Sequence, residues 1–414
     1  MVTKSTSPPL PRAAAAAIER AMRVSPVVVL LGARQTGKTT LVRSLPVLAD
    51  LPYLTLDDFD LRTQAATNPE EVVARAPRLI LDEVQRASDL LLAVKRSVDQ
   101  DPKRTPGRFV LTGSANLLLM KTVNESLAGR ASYINLWPFT RRERLEHGDT
   151  GPWSELLASD FTKWPTILDA RRASKVPWQA AAALGGLPVP SYRLSNDEAR
   201  DEWFSGYVQT YLERDLQTIR AVEDLPEFRR FMRAASLRIG GMLNQAELAR
   251  DVGISQPQAH RYLNLLEVTF QVIRLPAFSL HRAKRLIKAP KLYWGDSGLA
   301  LHVAGEHEAR GAHLENLVLM DLVVWRDIQP RRPEILYWRT ATGQEVDFVI
   351  ETPKRLLPIE VKASARVSPS DAAGLEAFLK EYPDLTDGGV ILHGGAETYR
   401  LTQRVMAVPW WRAC

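Results

Sequence analysis

Gly32 and Gly37 are separated by four residues, Ala33, Arg34, Gln35 and Thr36, and are followed at once by Lys38, Thr39 and Thr40. Glycines at the two ends of so short a loop allow backbone angles that a side chain would block. The amides between them can then turn inward on an anion, beside the positive end of a helix that starts at Lys38. Lys38 would reach terminal phosphates, and the Thr39 hydroxyl would ligate Mg²⁺. The chemistry implied is capture of a nucleoside triphosphate, ATP in the first instance.

Three further groups suit the same chemistry. Asp82 and Glu83 end the apolar run Leu79-Ile80-Leu81; such a pair at the carboxyl end of a parallel strand faces the phosphate crevice. Asp82 would hold the Mg²⁺ shell and Glu83 would polarise the attacking water. Ser114 or Thr112, at the end of Phe109–Ser114, is placed to sense the γ-phosphate, although Ser114 would equally cap a helix. Arg130 would reach phosphates in its own or a neighbouring subunit of a homo-oligomer; a surface ion pair competes for it.

A second chemistry is written near the C-terminus. Glu360 and Lys362 are two apart in the strand-like run Leu356–Lys362, so both project from one face. Asp347 comes from the preceding strand. An acidic residue, a second strand and then Glu-x-Lys is the arrangement of restriction-endonuclease-like nucleases. In that reading Asp347 and Glu360, helped by Glu315, bind Mg²⁺ or Mn²⁺, and Lys362 orients or activates water against a phosphodiester.

The elements that must hold these residues follow from pattern. Pro26–Leu31, Leu51–Leu56, Arg78–Gln85 and Arg108–Ser114 read as strands alternating with helices, which predicts a parallel α/β sheet. Helical segments then occupy residues 141–206, with 150–175 unplaced and a strong helix from Trp203 to Leu216 carrying Tyr207, Tyr211, Arg214 and Asp215. Leu243–Glu267 has helix-turn-helix character: Gly253 makes the turn, Ser255 caps the second helix, and Gln256, Gln258, His260 and Arg261 lie near its exposed start. Phe270–Leu275 and Ala277–Leu280 are expected as the two strands of a wing. From Gln271 to Gly295 there are six basic residues (Arg274, Arg282, Lys284, Arg285, Lys288, Lys291) and no acidic one, which fits a nucleic-acid face.

Composition sets the outer limits. The 414 residues suggest several domains, and 45% hydrophobic content is ample for more than one core. Lys+Arg 54 against Asp+Glu 48 gives +6, which permits a nucleic-acid partner without requiring one. One cysteine, Cys414, excludes an intramolecular disulfide and a Cys-ligated metal. No run of 18 apolar residues occurs, so no membrane span and a cytoplasmic location are expected.

The combination Gly32–Thr39, Leu81-Asp82-Glu83-Val84-Gln85, Leu111-Thr112-Gly113-Ser114 and Ser126-Leu127-Ala128-Gly129-Arg130 resembles the bacterial and archaeal AAA+-like P-loop ATPases with a C-terminal DUF4143 domain. The likeness continues through Gly185-Gly186-Leu187-Pro188 and Tyr211-Leu212-Glu213-Arg214-Asp215. The resemblance implies ATP binding and a C-terminal domain similar to the restriction-endonuclease fold. Four parts are expected: an AAA+-like ATPase domain (1–140), a helical lid and connector (141–206), a winged helix (207–280) and the nuclease-like domain (281–414). The expected function is an ATPase acting on DNA. The alternative is a nucleotide-dependent switch or scaffold that binds a protein partner and cuts nothing.

Overall fold

The computed structural model describes residues 9–114, 127–170, 175–210, 222 and 224–414. Ser126, Tyr211, Arg214 and Asp215 therefore lie outside the described residues. A five-stranded sheet, ordered β2-β3-β4-β1-β5, occupies the N-terminal third, from β1 (Val27–Gly32), β2 (Tyr53–Thr55), β3 (Leu79–Asp82), β4 (Phe109–Ser114) and β5 (Ala131–Asn135). Every pairing in it is parallel. The unbroken apolar run of β1 is buried throughout, as befits a central strand covered on both faces. Val27, Val29 and Leu31 pack into one core, and Val28 and Leu30 into another on the opposite face. With all strands pointing one way, the carboxyl ends of β1, β3 and β4 bring Gly32, Asp82 and Ser114 to one edge.

The middle of the chain is helical but is not a separate lid. Trp153, Trp164, Trp178 and Phe204 share one core with Val318, Leu322 and Trp410 from the C-terminal third. Trp153 Nε1 donates to Asp321 at 2.7 Å, and Trp325 Nε1 donates to Ser154 Oγ at 2.8 Å. The described part of the unplaced stretch 150–175 forms the helices Trp153–Ala158 and Trp164–Asp169; Trp153 ties the first to the long helix Gly311–Asp327, and Trp164 Nε1 donates back to Leu156 O and Ser159 O at 3.2 Å each. Only Pro188 approaches the glycine loop among the residues singled out there: a Cβ added at Gly37 would lie 3.9 Å from its ring.

A helix–turn–helix forms where expected. Gln245–Val252 ends at Gly253 with φ 82°, and the Ser255 side chain accepts from Gln258 N at the head of Gln256–Val268. The expected wing is corrected. Strand β6 (Val272–Leu275) pairs not with Ala277–Leu280 but with β7 (Lys291–Trp294), antiparallel, Val272 opposite Trp294. Pro276 has no amide to continue the ladder. Phe278 is instead drawn into a core with Trp338 and Phe378, and Ala277 bridges to Tyr337. Strands on either side of residue 280 therefore belong to one ribbon, and no structural boundary falls there.

The C-terminal sheet is ordered β12-β13-β11-β10-β9-β8, from β8 (Glu334–Arg339), β9 (Glu345–Glu351), β10 (Leu356–Lys362), β11 (Gly389–His393), β12 (Tyr399–Arg400) and β13 (Val405–Pro409). It is mixed: β8, β9 and β10 form an antiparallel meander, and β10, β11 and β13 run parallel. Phe348, Ile350, Ile359 and Val361 face the shared core, whereas Val349 and Leu356 face the helix Ala373–Glu381.

Candidate functional site

The glycine loop is built as the sequence requires. A Cβ at Gly32 would stand 2.2 Å from the Leu136 carbonyl oxygen, and Gly37 has φ 93°. Lys38 begins the helix Lys38–Ser44, and its Nζ donates to Gly32 O at 3.0 Å and Ala33 O at 2.7 Å, so the cation lies across the loop. Thr36 Oγ1 donates to Ala33 O at 3.0 Å. Gln35, at φ 59°, and Thr40 are exposed, and Arg34 is half-buried. Thr39 Oγ1 donates to Asp82 Oδ2 at 3.0 Å. Asp82 is 2% exposed, and Tyr53 OH donates to the same carboxylate at 2.5 Å. Thr112 Oγ1 donates to its other oxygen. Burial, reinforced by the Asp82 charge, pushes the Tyr53 phenol well up, so it stays a donor. A hydroxyl and a carboxylate held face to face are the hard oxygen donors that suit Mg²⁺.

Glu83 stands next to this pair with φ 59°, a left-handed backbone that a glutamate adopts only under constraint. Its carboxylate accepts from Gln85 Nε2, and the same nitrogen donates to Ser114 Oγ at 2.9 Å. Gln85 thus ties the candidate water-polarising group to the candidate γ-phosphate sensor. Sequence reading quoted Gln85 without giving it this part, and passed over Tyr53 altogether. The signal for Tyr53 was its place on the strand beside Asp82.

Arg130 is not with them. Val27 N donates to Arg130 O at 3.2 Å, at the foot of β1, so Arg130 sits at the opposite sheet edge from Gly32. Five residues of strand put it ~16 Å from the loop. Its guanidinium is paired with Asp99 at 2.6 and 3.0 Å. A contact with nucleotide bound in its own subunit is excluded by that register, and the surface ion pair is what forms.

The C-terminal residues do converge, with an addition. Lys362 Nζ donates to Glu360 Oε1 at 2.7 Å, and Asp347 Oδ2 accepts from Val361 N at 3.0 Å. Glu315, near the start of Gly311–Asp327, accepts from Tyr293 OH at 2.9 Å. Into this group β7 delivers Lys291, 4% exposed. Its Nζ lies 3.1 Å from Asp347 Oδ1 and 4.0 Å from Glu315 Oε2, and is also paired with Glu345. Burial alone would lower the Lys291 ammonium, but Asp347, Glu315 and Glu345 outweigh it and hold the cation well above the lysine range. Burial and the Asp347 charge push Glu315 and Glu360 up to about 8 each. Among the described residues no three carboxylates, histidines or cysteines are arranged to hold a metal. Glu360 Oε2 is buried without a partner, yet one open oxygen is not a coordination set. The expected Mg²⁺ or Mn²⁺ site of Glu315, Asp347 and Glu360 does not fit: a lysine supplies the charge that a metal would bring.

Three family models match the chain. Residues 24–145 match an AAA domain, 177–310 a domain of unknown function (DUF8612) and 310–413 a domain of unknown function (DUF4143). The chain thus carries an AAA domain followed at its C-terminal end by a DUF4143 domain, the arrangement of the AAA-like P-loop ATPases it resembles. Uncharacterized proteins of Mycobacterium bovis and Mycobacterium tuberculosis are each 29% identical over 417 residues, covering 96% of this chain and 83% of theirs. Among solved structures, the Walker-type ATPase of Pyrococcus abyssi is 16% identical, covers 72% of this chain and 99% of its own, and has a TM-score of 0.46. The RuvB Holliday junction branch migration motor of Thermotoga maritima is 17% identical over 65% of this chain and 91% of its own, with a TM-score of 0.29.

Between the AAA and DUF4143 domains the basic run expected to form a nucleic-acid face is divided between paired and exposed residues. Of the six basic residues, Arg274 pairs with Glu267, Arg285 with Glu334 and Glu351, and Lys291 with the carboxylate cluster. Arg282, Lys284 and Lys288 remain exposed. On the second helix, Gln256 and Arg261 are exposed, but Gln258 donates to Tyr262 at 3.1 Å and His260 is bonded to Asn264 at 3.0 Å. Half of the local charge run is thus spent inside the fold. Among the described residues no helix is long and apolar enough to cross a membrane.

Proposed function

We propose that this protein is a Mg-ATP-hydrolysing switch whose nucleotide state is passed to a DNA-associated C-terminal half. The carrying observation is the gathering of Lys38, Thr39, Asp82, Glu83, Gln85 and Ser114 at the carboxyl edge of one parallel sheet. Lys38, released from the Gly32 and Ala33 carbonyls, pairs with the β- and γ-phosphates. Thr39 and Asp82 hold the magnesium ion, which supplies positive charge against the transferring phosphoryl group. Glu83 orients the attacking water, and Ser114 reads the γ-phosphate and reports to Glu83 through Gln85.

Three routes support transmission. Arg12 Nη1 donates to Thr36 O at 2.9 Å while its Nε pairs with buried Glu143 at 3.1 Å. Asp296, at the head of the helix Ser297–Ala304, accepts from Gly186 N at 2.6 Å and Leu187 N at 2.9 Å, one residue from Pro188 at the loop. At the carboxyl end of β5, beside the glycine loop, Asp327 Oδ2 accepts from Trp137 Nε1 at 2.8 Å and Asn135 Nδ2 at 3.1 Å. Movement at the loop therefore has rigid partners on the helix Gly311–Asp327.

In this reading, helices Gln245–Val252 and Gln256–Val268 with the β6–β7 ribbon act as a winged helix on DNA. The mixed C-terminal sheet with Gly311–Asp327 keeps a restriction-endonuclease-like fold without cutting, because Lys291 fills the carboxylate cluster. Gel shift with and without ATP, across a salt series, tests the proposal. Binding that weakens steeply with salt and changes with ATP is expected. No shift under any condition returns the distal half to the scaffold reading.

A further inference from the structure

A cleft of about 670 Å³ opens where the helix Trp153–Ala158 meets the end of Gly311–Asp327, the start of β8 and the β9–β10 turn. Its floor is apolar, formed by Leu157, Ala158, Trp325 and Pro333. Five cations line it, Arg282, Arg331, Arg332, Lys354 and Arg355, against two carboxylates, Glu334 and Glu351. Both carboxylates are already held from beneath by buried Arg285, at 2.7 Å and 2.5 Å. Arg355 faces Asp387 and Asp160. Arg282, Arg331 and Lys354 are exposed and make no ion pair among the described residues. The rim therefore carries uncompensated positive charge over an apolar floor.

From this we infer that the cleft holds single-stranded nucleic acid, phosphates along the rim and a base lowered toward the floor. The volume lies within the range of sites that enclose small ligands. A duplex offers a convex cylinder with its bases stacked away, whereas an unpaired strand presents both a phosphate rail and an apolar face. The neighbouring loop extends the same character: Leu286 and Ile287 are 88% and 83% exposed, set between Lys284 and Lys288. Such a pair is suited to lie against or between bases. A flat lipid surface would meet that tip but would not enter the concave cleft. Arg332 Nη2 donates to Tyr133 O on β5 at 2.8 Å, so the cleft leans on a strand next to β1. The inference rests on the reading of the protein as a DNA-associated ATPase and names where, and in what form, the strand is held.

The test uses the full chain, fluorescence anisotropy and an oligothymidylate of about 20 nucleotides. The single strand is expected to bind, more weakly as salt rises, and R331E/K354E is expected to lower the affinity by about tenfold or more. K103E, on an exposed turn of the AAA domain away from the cleft and the second helix, is expected to change it by less than about twofold. Retained ATP binding shows that the double variant is folded. Photocrosslinking of a bromouridine oligonucleotide is expected to label peptides around 329–334 and 352–355. Unchanged affinity in R331E/K354E, or crosslinks confined elsewhere, overturns the cleft. Duplex binding that depends on Arg261 alone overturns it while leaving the DNA reading standing. Capture by anionic vesicles with no nucleic acid of any form bound removes both.

Discussion

At the residue scale the AAA site makes separable demands. Lys38→Ala removes the charge that meets the phosphates, and nucleotide affinity is expected to fall beyond detection at micromolar ATP in a fluorescent-nucleotide titration. Glu83→Gln keeps the shape and loses the base, so binding is retained while turnover falls by roughly a hundredfold. Gln85→Leu tests the link the structure adds. Gln85 touches Glu83 and Ser114, so kcat is expected to drop about tenfold with KM little changed, whereas a merely structural role would leave that ratio intact. Arg12→Ala strips a buried partner from Glu143, which still accepts from Ala13 N and Thr140 N. Stability is expected to fall by about 3 kcal/mol in denaturant titration, with weaker ATP binding because Thr36 loses its prop.

At the element scale the chain divides into what pattern reveals and what only packing decides. The parallel sheet and its glycine loop were legible because strand, loop and helix are local, and their residues carry the chemistry themselves. The strand pair β9–β10 was equally plain, and it places Asp347, Glu360 and Lys362 close together. Lys291 was read as part of a surface charge run, since nothing in the sequence around it says that three carboxylates from a helix and a strand will close over it. The own-subunit reach of Arg130 was hidden similarly: its motif is local, but its distance from the loop is set by the β1–β5 register. The wing was missed because Phe278 prefers an aromatic core to a ladder. The carboxylate cluster also carries a pH signature. Folded Glu315 holds its proton up to about 8, whereas the unfolded chain releases it near about 4.3. Across that window the folded state binds more protons, so stability is full below it and is lost as pH rises through it. The melting temperature is therefore expected to fall between about pH 5 and pH 9, and Glu315→Gln, which cannot ionise, is expected to flatten that fall.

At the scale of the whole molecule, the shared core rules out independent beads on a string. Trp153 and Ser154 of the connector bond Asp321 and Trp325 of Gly311–Asp327, and that helix touches the AAA sheet through Asp327 at Trp137 and Asn135. An ATP-dependent change in the loop must therefore either move the C-terminal two-thirds together or break at this contact. Asp327→Ala separates the alternatives. Asp327 is buried, and its loss leaves the Trp137 indole without its acceptor, costing about 1–3 kcal/mol. Asn135 lies opposite Leu31, the residue before the glycine loop, so nucleotide affinity is expected to weaken by about 0.5–3 kcal/mol of coupling, and the comparison is made at saturating ATP. Hydrogen exchange in 311–327 is expected to differ between ATP and nucleotide-free wild type, and that difference is expected to vanish in Asp327→Ala. Should it persist at full size, the Arg12 and Asp296 routes carry the signal alone and the β5 contact is a static brace.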